Sequence, residues 1–142
     1  RLAYTVLGDA GNSASRLQGV NKDYGTRVLV SEATMKAAGE SFTYRYLDRV
    51  QVKGRTEPLA VYEVVSYRHQ LDPKTGTLLE QYARGIERYH AGQWTAAAEL
   101  FDRLLADYPG DGPSALYLRR SREFAATPPP PDWNGVTILK TK

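Results

Sequence analysis

Two side chains in the first twenty residues have the types and spacing to grip an anion. Asn12 and Arg16 stand four residues apart in a stretch that reads as helix, YTVLGDAGNSASRL, residues 4–17. Four residues advance about 400° around a helix, so an amide and a guanidinium share one face there. The guanidinium is a planar fork of donors that suits phosphate oxygens. Thr5 comes just before the Gly8-Asp9 break, near the end of a strand-like run. Ligand sites in α/β sheets gather at such strand ends. Asp9 reads as the helix N-cap, its carboxylate accepting orphan backbone N–H groups.

Other chemistries are excluded or weak. Cysteine is absent, which removes disulfides, thiolate catalysis and Cys-based zinc sites. The two histidines, His69 and His90, are too few for a His-rich metal cluster. His69 reads as solvated and His90 as a residue near a helix C-terminus. Net charge is +3, and it lies in the first half. Residues 1–70 carry 10 Lys/Arg against 7 Asp/Glu, and residues 71–142 carry 9 against 9. A mild excess suits a phosphate-bearing ligand. It falls short of the dense basic stripe of a nucleic-acid binder, and no aromatic-basic interleaving is present. No apolar run is long enough to span a membrane, so no membrane contact is expected from this segment.

These side chains need elements to position them. The 142 residues, 42% hydrophobic and 25% charged, suit one soluble domain or one and a half small ones. The chain begins inside a strand-like run and reads as a fragment or processed product. Residues 2–7 form a strand, 9–21 a helix, 27–30 a strand, 32–38 a short helix capped by Ser31 and ended by Gly39. Residues 42–52 read as a strand with an internal bend, and 59–65 as a final strand after the Glu57-Pro58 turn. The order β-α-β-α-β-β asks for a mixed sheet with packed helices. Asp, Pro and Gly in 71–76 mark a linker. Helices follow at 77–91, 94–107 and 112–126. Their apolar positions include Leu78, Tyr82, Gly85, Ile86, Tyr89, Ala97, Phe101, Leu104 and Leu118. Arg119, Arg120 and Arg122 read as a solvated basic face. Residues 128–142 form a tail that opens on four prolines, with a short strand at 136–139.

The stretch at 4–17 resembles the class III nucleotidyl cyclases, whose pattern there is close to YTxxGDxVNxASRL. Two further segments look like the same family in the same order: YGTRVLVSEAT at 24–34 and RVQVKGRTEPLAVYEV at 49–64. The resemblance covers about residues 1–66 and implies the C-terminal part of a ferredoxin-like catalytic domain, an α+β fold. It implies that Thr5 reads the purine edge, Asn12 orients the ribose, Arg16 stabilises the pentavalent α-phosphate and Lys53 contacts the phosphates. It also implies Mg²⁺ or Mn²⁺, held by aspartates that are not in this chain, and a head-to-tail dimer that unites the two half-sites. Gly11 and Ser13 replace apolar residues of the family pattern, and Gly costs a helix about 1 kcal/mol relative to Ala.

Residues 78–111 resemble one tetratricopeptide repeat, on Gly85, Gly92, Trp94, Ala97, Phe101 and Pro109. One repeat does not normally stand alone. The domains expected are therefore 1–70 cyclase-like, 71–76 linker, 77–127 tetratricopeptide-like and 128–142 tail. The expected function is the C-terminal portion of a bacterial adenylate cyclase that makes cyclic AMP and pyrophosphate from ATP. It would be cytoplasmic and inactive alone, with a homodimer mate or the rest of the cyclase domain as partner. Thr5 favours ATP over GTP. The alternative is a non-catalytic regulatory or dimerisation module with a helical protein-interaction segment.

Overall fold

The computed structural model describes residues 5–7 as backbone, and residues 28–51 and 56–138 in full. The described chain is α+β, with a five-stranded mixed sheet and, apart from it, a set of packed helices. It divides into two compact units, residues 1–71 with 135–142, and residues 72–134.

In the sheet unit, β1 (Thr5–Leu7) runs parallel to β2 (Val28–Ser31), with Thr5 opposite Val28. Parallel strands need a crossover of a dozen or more residues, and 8–27 supply the length. Ser31 then caps α1 (Glu32–Ala38), its hydroxyl accepting from the Thr34 N–H at 3.2 Å. Gly39, at φ 71°, ends α1 in the left-handed region that favours glycine. β3 (Phe42–Gln51) and β4 (Leu59–Tyr67) pair antiparallel. The bend expected in β3 takes the form of register shifts between Thr43 and Tyr44 and between Tyr46 and Asp48. The shifts skip Val65 on β4 and Leu47 on β3. Bulges of this kind re-aim side chains. Here Asp48 comes onto the Val61–Glu63 face that Arg45 already shares. β5 (Val136–Ile138) pairs parallel with β3, giving the order β1-β2-β4-β3-β5. Leu29, Leu47, Val50 and Val61, each fully buried, are the core of the unit.

In the helical unit, α2 (Pro73–His90) starts earlier than expected. Residues 73–76, read from sequence as linker, are its first turn. Asp72 caps it by accepting from the Thr75 N–H at 3.3 Å, and Pro73 takes a first-turn position where its missing N–H costs nothing. α3 (Trp94–Asp107) and α4 (Gly112–Ala126) match their expected limits. Asp111 caps α4 through the Ser114 N–H at 3.2 Å. Gly92, at φ 79°, makes the turn from α2 to α3.

The helices enclose Leu78, Tyr82, Tyr89, Ala97, Phe101, Leu104, Tyr117 and Leu118. Rings dominate: Tyr82 meets Phe101 edge-on at 6.0 Å, and Phe101 stacks on Tyr117 at 5.8 Å. Gly85 admits the Phe101 ring so closely that an added Cβ would sit 2.5 Å from its Cζ. Arg120 departs from the solvated face expected of it. It is half-buried, with its guanidinium carbon 5.1 Å from the Tyr117 ring centroid. Arg122 is exposed and pairs with Asp102 at 3.6 Å.

Ser121 on α4 is fully buried, and its hydroxyl has no hydrogen-bond partner among the described residues. Ser121→Ala removes that unmet group and adds helix propensity, so it is expected to stabilise the chain by about 1 kcal/mol. A rise in the urea midpoint at constant slope would show it. A fall would mean the hydroxyl is satisfied.

Candidate functional site

Of the four candidate residues, the structure reaches one. Thr5 opens β1 and pairs in register with Val28. Asn12, Arg16 and Lys53 lie outside the described residues, as do Gly11 and Ser13.

What the described strands do fix is where those stretches leave the sheet. β1 is parallel to β2; β2 is antiparallel to β4; β4 is antiparallel to β3. It follows that β1, β2 and β3 all point the same way. The chain departs from β1 at Leu7 into 8–27, which hold Asn12 and Arg16. It departs from β3 at Gln51 into 52–55, which hold Lys53. Both departures are at the same end of the sheet, the carboxyl end of its parallel strands, where ligands of open α/β sheets collect.

The sheet carries a cross-strand charge pair, Arg45 buried and Glu63 half-buried. Arg45 and Glu63 are cross-strand neighbours, and both the Nε and Nη2 groups of Arg45 donate to Glu63 Oε1, at 3.0 and 2.8 Å. Leu29 of β2 is the register partner of Glu63 on its other side. Asp48, also buried, accepts from the Arg49 N–H at 2.8 Å. On the other face, burial raises the Tyr62 phenol above its ordinary value; Glu32 adds to the rise and Arg49 opposes it.

A shallow depression of about 600 Å³ lies at the opposite end, where β3 begins. Met35, Phe42, Tyr44 and Tyr62 line it, with Lys36 and Arg68 at hand. Its cations are already engaged: Lys36 with Glu32 at 3.5 Å, Arg68 with Glu40 at 3.1 Å. That arrangement is poor for a polyanion. Among the described residues, no group of three or more His, Asp or Glu side chains is placed to hold a metal ion. No described helix is long and apolar enough to cross a membrane. His69 is exposed beside Tyr67. His90 closes α2 and stacks on Trp133 at 6.3 Å.

Trp133 is a residue that sequence reasoning passed over. The tail brings it against Tyr89 at 5.5 Å, Trp94 at 5.9 Å and Phe124 at 5.4 Å. The signal was a lone tryptophan just beyond four prolines, a large apolar side chain in an otherwise polar stretch.

No family model matches the chain, and no solved structure matches it significantly. Curated proteins do. The chain is 34% identical over 124 residues to "Adenylate cyclase, terminal-differentiation specific" of Dictyostelium discoideum, covering 84% of this chain and 6% of that protein. It is 49% identical over 65 residues to "Adenylate cyclase 1" of Rhizobium meliloti (strain 1021), 46% of this chain and 10% of that protein. It is 43% identical over 67 residues to an adenylate cyclase of Anabaena cylindrica, 45% of this chain and 13% of that protein. The chain thus spans between 6% and 13% of the length of these relatives. The Dictyostelium alignment is longer than the sheet unit can hold, so it takes in helical residues as well. On this similarity, the chain is related to proteins named adenylate cyclases.

Proposed function

We propose that the chain is the C-terminal portion of a class III, ferredoxin-like adenylate cyclase domain with a tetratricopeptide-like helical segment. It supplies the Asn12/Arg16 half of a dimeric site that converts ATP to cyclic AMP and pyrophosphate. The observation that supports the reading is the shared direction of β1 and β3, whose carboxyl ends lie at one end of the sheet, in a chain similar to adenylate cyclases. The Gly85–Phe101 approach between α2 and α3 supports the repeat-like reading of the helices.

In this reaction the ribose 3′-hydroxyl loses its proton to solvent as its oxygen attacks the α-phosphorus. A new O–P bond forms, and the bond to the β-phosphate oxygen breaks as pyrophosphate leaves. The step needs in-line positioning and charge stabilisation rather than a covalent intermediate. Thr5 meets the adenine edge. The Asn12 amide fixes the ribose, and Lys53 holds the outgoing phosphates. The Arg16 guanidinium stabilises charge that grows on the α-phosphate oxygens at the transition state. Divalent cations, Mg²⁺ or Mn²⁺, would lower the charge of the triphosphate. The described residues offer them no ligand set, and their aspartates belong to the rest of the cyclase domain.

The test is complementation. The chain is mixed with a class III cyclase protomer whose own Asn and Arg counterparts are replaced by Ala. Cyclic AMP is expected from the mixture and not from either component. Arg16→Ala in this chain should lower kcat about 10²- to 10³-fold with KM little changed, since a donor aimed at developing charge acts in the transition state. A silent mixture of folded, associated components would instead make the chain a non-catalytic dimerisation module.

A further inference from the structure

Four consecutive prolines, Pro128–Pro131, leave the end of α4, and no step of the cyclase chemistry uses them. A residue that precedes proline is kept out of the helical region and held extended. Thr127, Pro128, Pro129 and Pro130 all precede one. Thr127 is extended, at φ −136° and ψ 90°, and its N–H donates back to the Glu123 carbonyl at 2.8 Å. Each proline also has its own φ fixed near about −65°. Residues 128–130 are thereby confined to the polyproline II region, with about three residues per turn. Pro128 and Pro131 are one turn apart and share an edge. Both are exposed, as is Pro130, while Pro129 is half-buried.

The run is held at both ends within the helical unit. α4 anchors Thr127. At the other end the Trp133 N–H donates to the Pro130 carbonyl at 2.9 Å, closing a turn with Pro131 at its second position, where a fixed φ is favoured. The Trp133 ring packs on Tyr89, Trp94 and Phe124. A free proline-rich peptide gives up freedom when it binds; this run has already given it up on folding. Aromatic-lined grooves take this shape, with rings laid against the proline edge and Trp N–H or Tyr O–H groups donating to prolyl carbonyls. Charge narrows the partner further. Residues 123–134, EFAATPPPPDWN, hold Glu123 and Asp132, both exposed, and no Lys or Arg.

We propose that Pro128–Pro131 is a docking ridge for a protein domain with an aromatic-lined polyproline groove and a basic rim. The partner's rings take the edge shared by Pro128 and Pro131, and its rim meets Glu123 and Asp132. The ridge belongs wholly to the helical unit and works whatever reaction the sheet unit serves.

The experiment titrates the full chain with two probes by calorimetry. One is a WW domain with basic residues at the rim of its aromatic groove; the other is the same domain with those residues replaced by Glu. A synthetic 123–134 peptide is titrated in parallel. The basic domain is expected to bind the chain about tenfold or more tightly than its acidic version, and to bind it no more weakly than the peptide. Pro128→Ser with Pro131→Ser should weaken binding about tenfold or more, through two lost apolar contacts. Glu123→Lys with Asp132→Lys should reverse the preference between the two probes. That pair leaves all four prolines in place, so it keeps the test open if the serine pair disturbs the end of α4. No binding of the basic domain, or binding that survives the serine pair, overturns the proposal. Equal binding of both probes overturns the basic rim. Binding of the peptide but not of the chain overturns the ridge, because it is then covered. Self-association of the chain that the serine pair abolishes overturns it as well, since the occupant is then a second copy.

Discussion

Arg45→Met is expected to lower the stability of the chain by about 3–5 kcal/mol, the cost of leaving one member of a buried ion pair without the other. Arg45 is 7% exposed and Glu63 17%, so water does little to screen them. Two Arg45 hydrogen bonds go to one carboxylate oxygen, at 2.8 and 3.0 Å. Met replaces the length and apolar stem of Arg45 but none of its donors. Arg45→Lys should recover little, because one ammonium does not copy two donors set in a fixed fork. Arg45→Met combined with Glu63→Leu should recover most of the loss, since an apolar pair of similar volume avoids the desolvation penalty altogether. Urea unfolding of the four chains measures all of this. A single-variant loss below about 1 kcal/mol would mean that the pair is solvated and the sheet does not depend on it.

Gly85→Ala has the second large effect expected, and two terms compete in it. Ala is a better helix former than Gly by about 1 kcal/mol. Against that, the new methyl would sit 2.5 Å from Phe101 Cζ and 2.7 Å from Cε1. Phe101 is fully buried between Tyr82 and Tyr117 and has no free side to move into. Overpacking of this kind costs about 1–3 kcal/mol, and a ring wedged among rings falls at the upper end. The net expectation is a loss of about 1–2 kcal/mol for Ala and more for Val. Phe101→Leu shortens the ring side chain, so the pair Gly85→Ala with Phe101→Leu should lose less than the two single losses added together. Additive losses would show that the two residues do not touch. A gain in stability from Gly85→Ala alone would show that helix propensity wins and the crossing is looser than described.

How far the sequence could be read depended on whether a signal was local. α1, α3 and α4 stand within their expected limits because capping and turn residues mark both ends: Ser31 and Gly39, Gly92 and Pro109, Asp111 and Thr127. The start of α2 was misread. Asp-Pro followed by Gly signals a turn, yet an N-cap followed by proline uses the same letters, and apolar periodicity is silent in a first turn. Tyr117 was missed because Leu116 and Leu118 flank it, and three adjacent apolar residues, all of them buried, blur the helical period. The Arg45–Glu63 pair could not be foreseen, since its partners are 18 residues apart in sequence and meet only through a register set by two bulges. Trp133 was hidden for the same reason: long-range packing leaves no period. The candidate site was legible as a motif, and of its four residues Thr5 is the one whose strand and register the structure describes.

The discontinuity of the sheet unit has a consequence during synthesis. Residues 72–134 emerge from the ribosome before β5 does, so the far edge of β3 stays open while the insert is translated. At about 5–20 residues per second, that interval is roughly 3–13 seconds, ample time for the helices to fold. An open strand edge beside other nascent chains is a template for exchange, and a neighbour's 136–138 segment can take the vacancy before the chain's own has emerged. Shortening the helical insert would narrow that window. Slow codons within it would widen it.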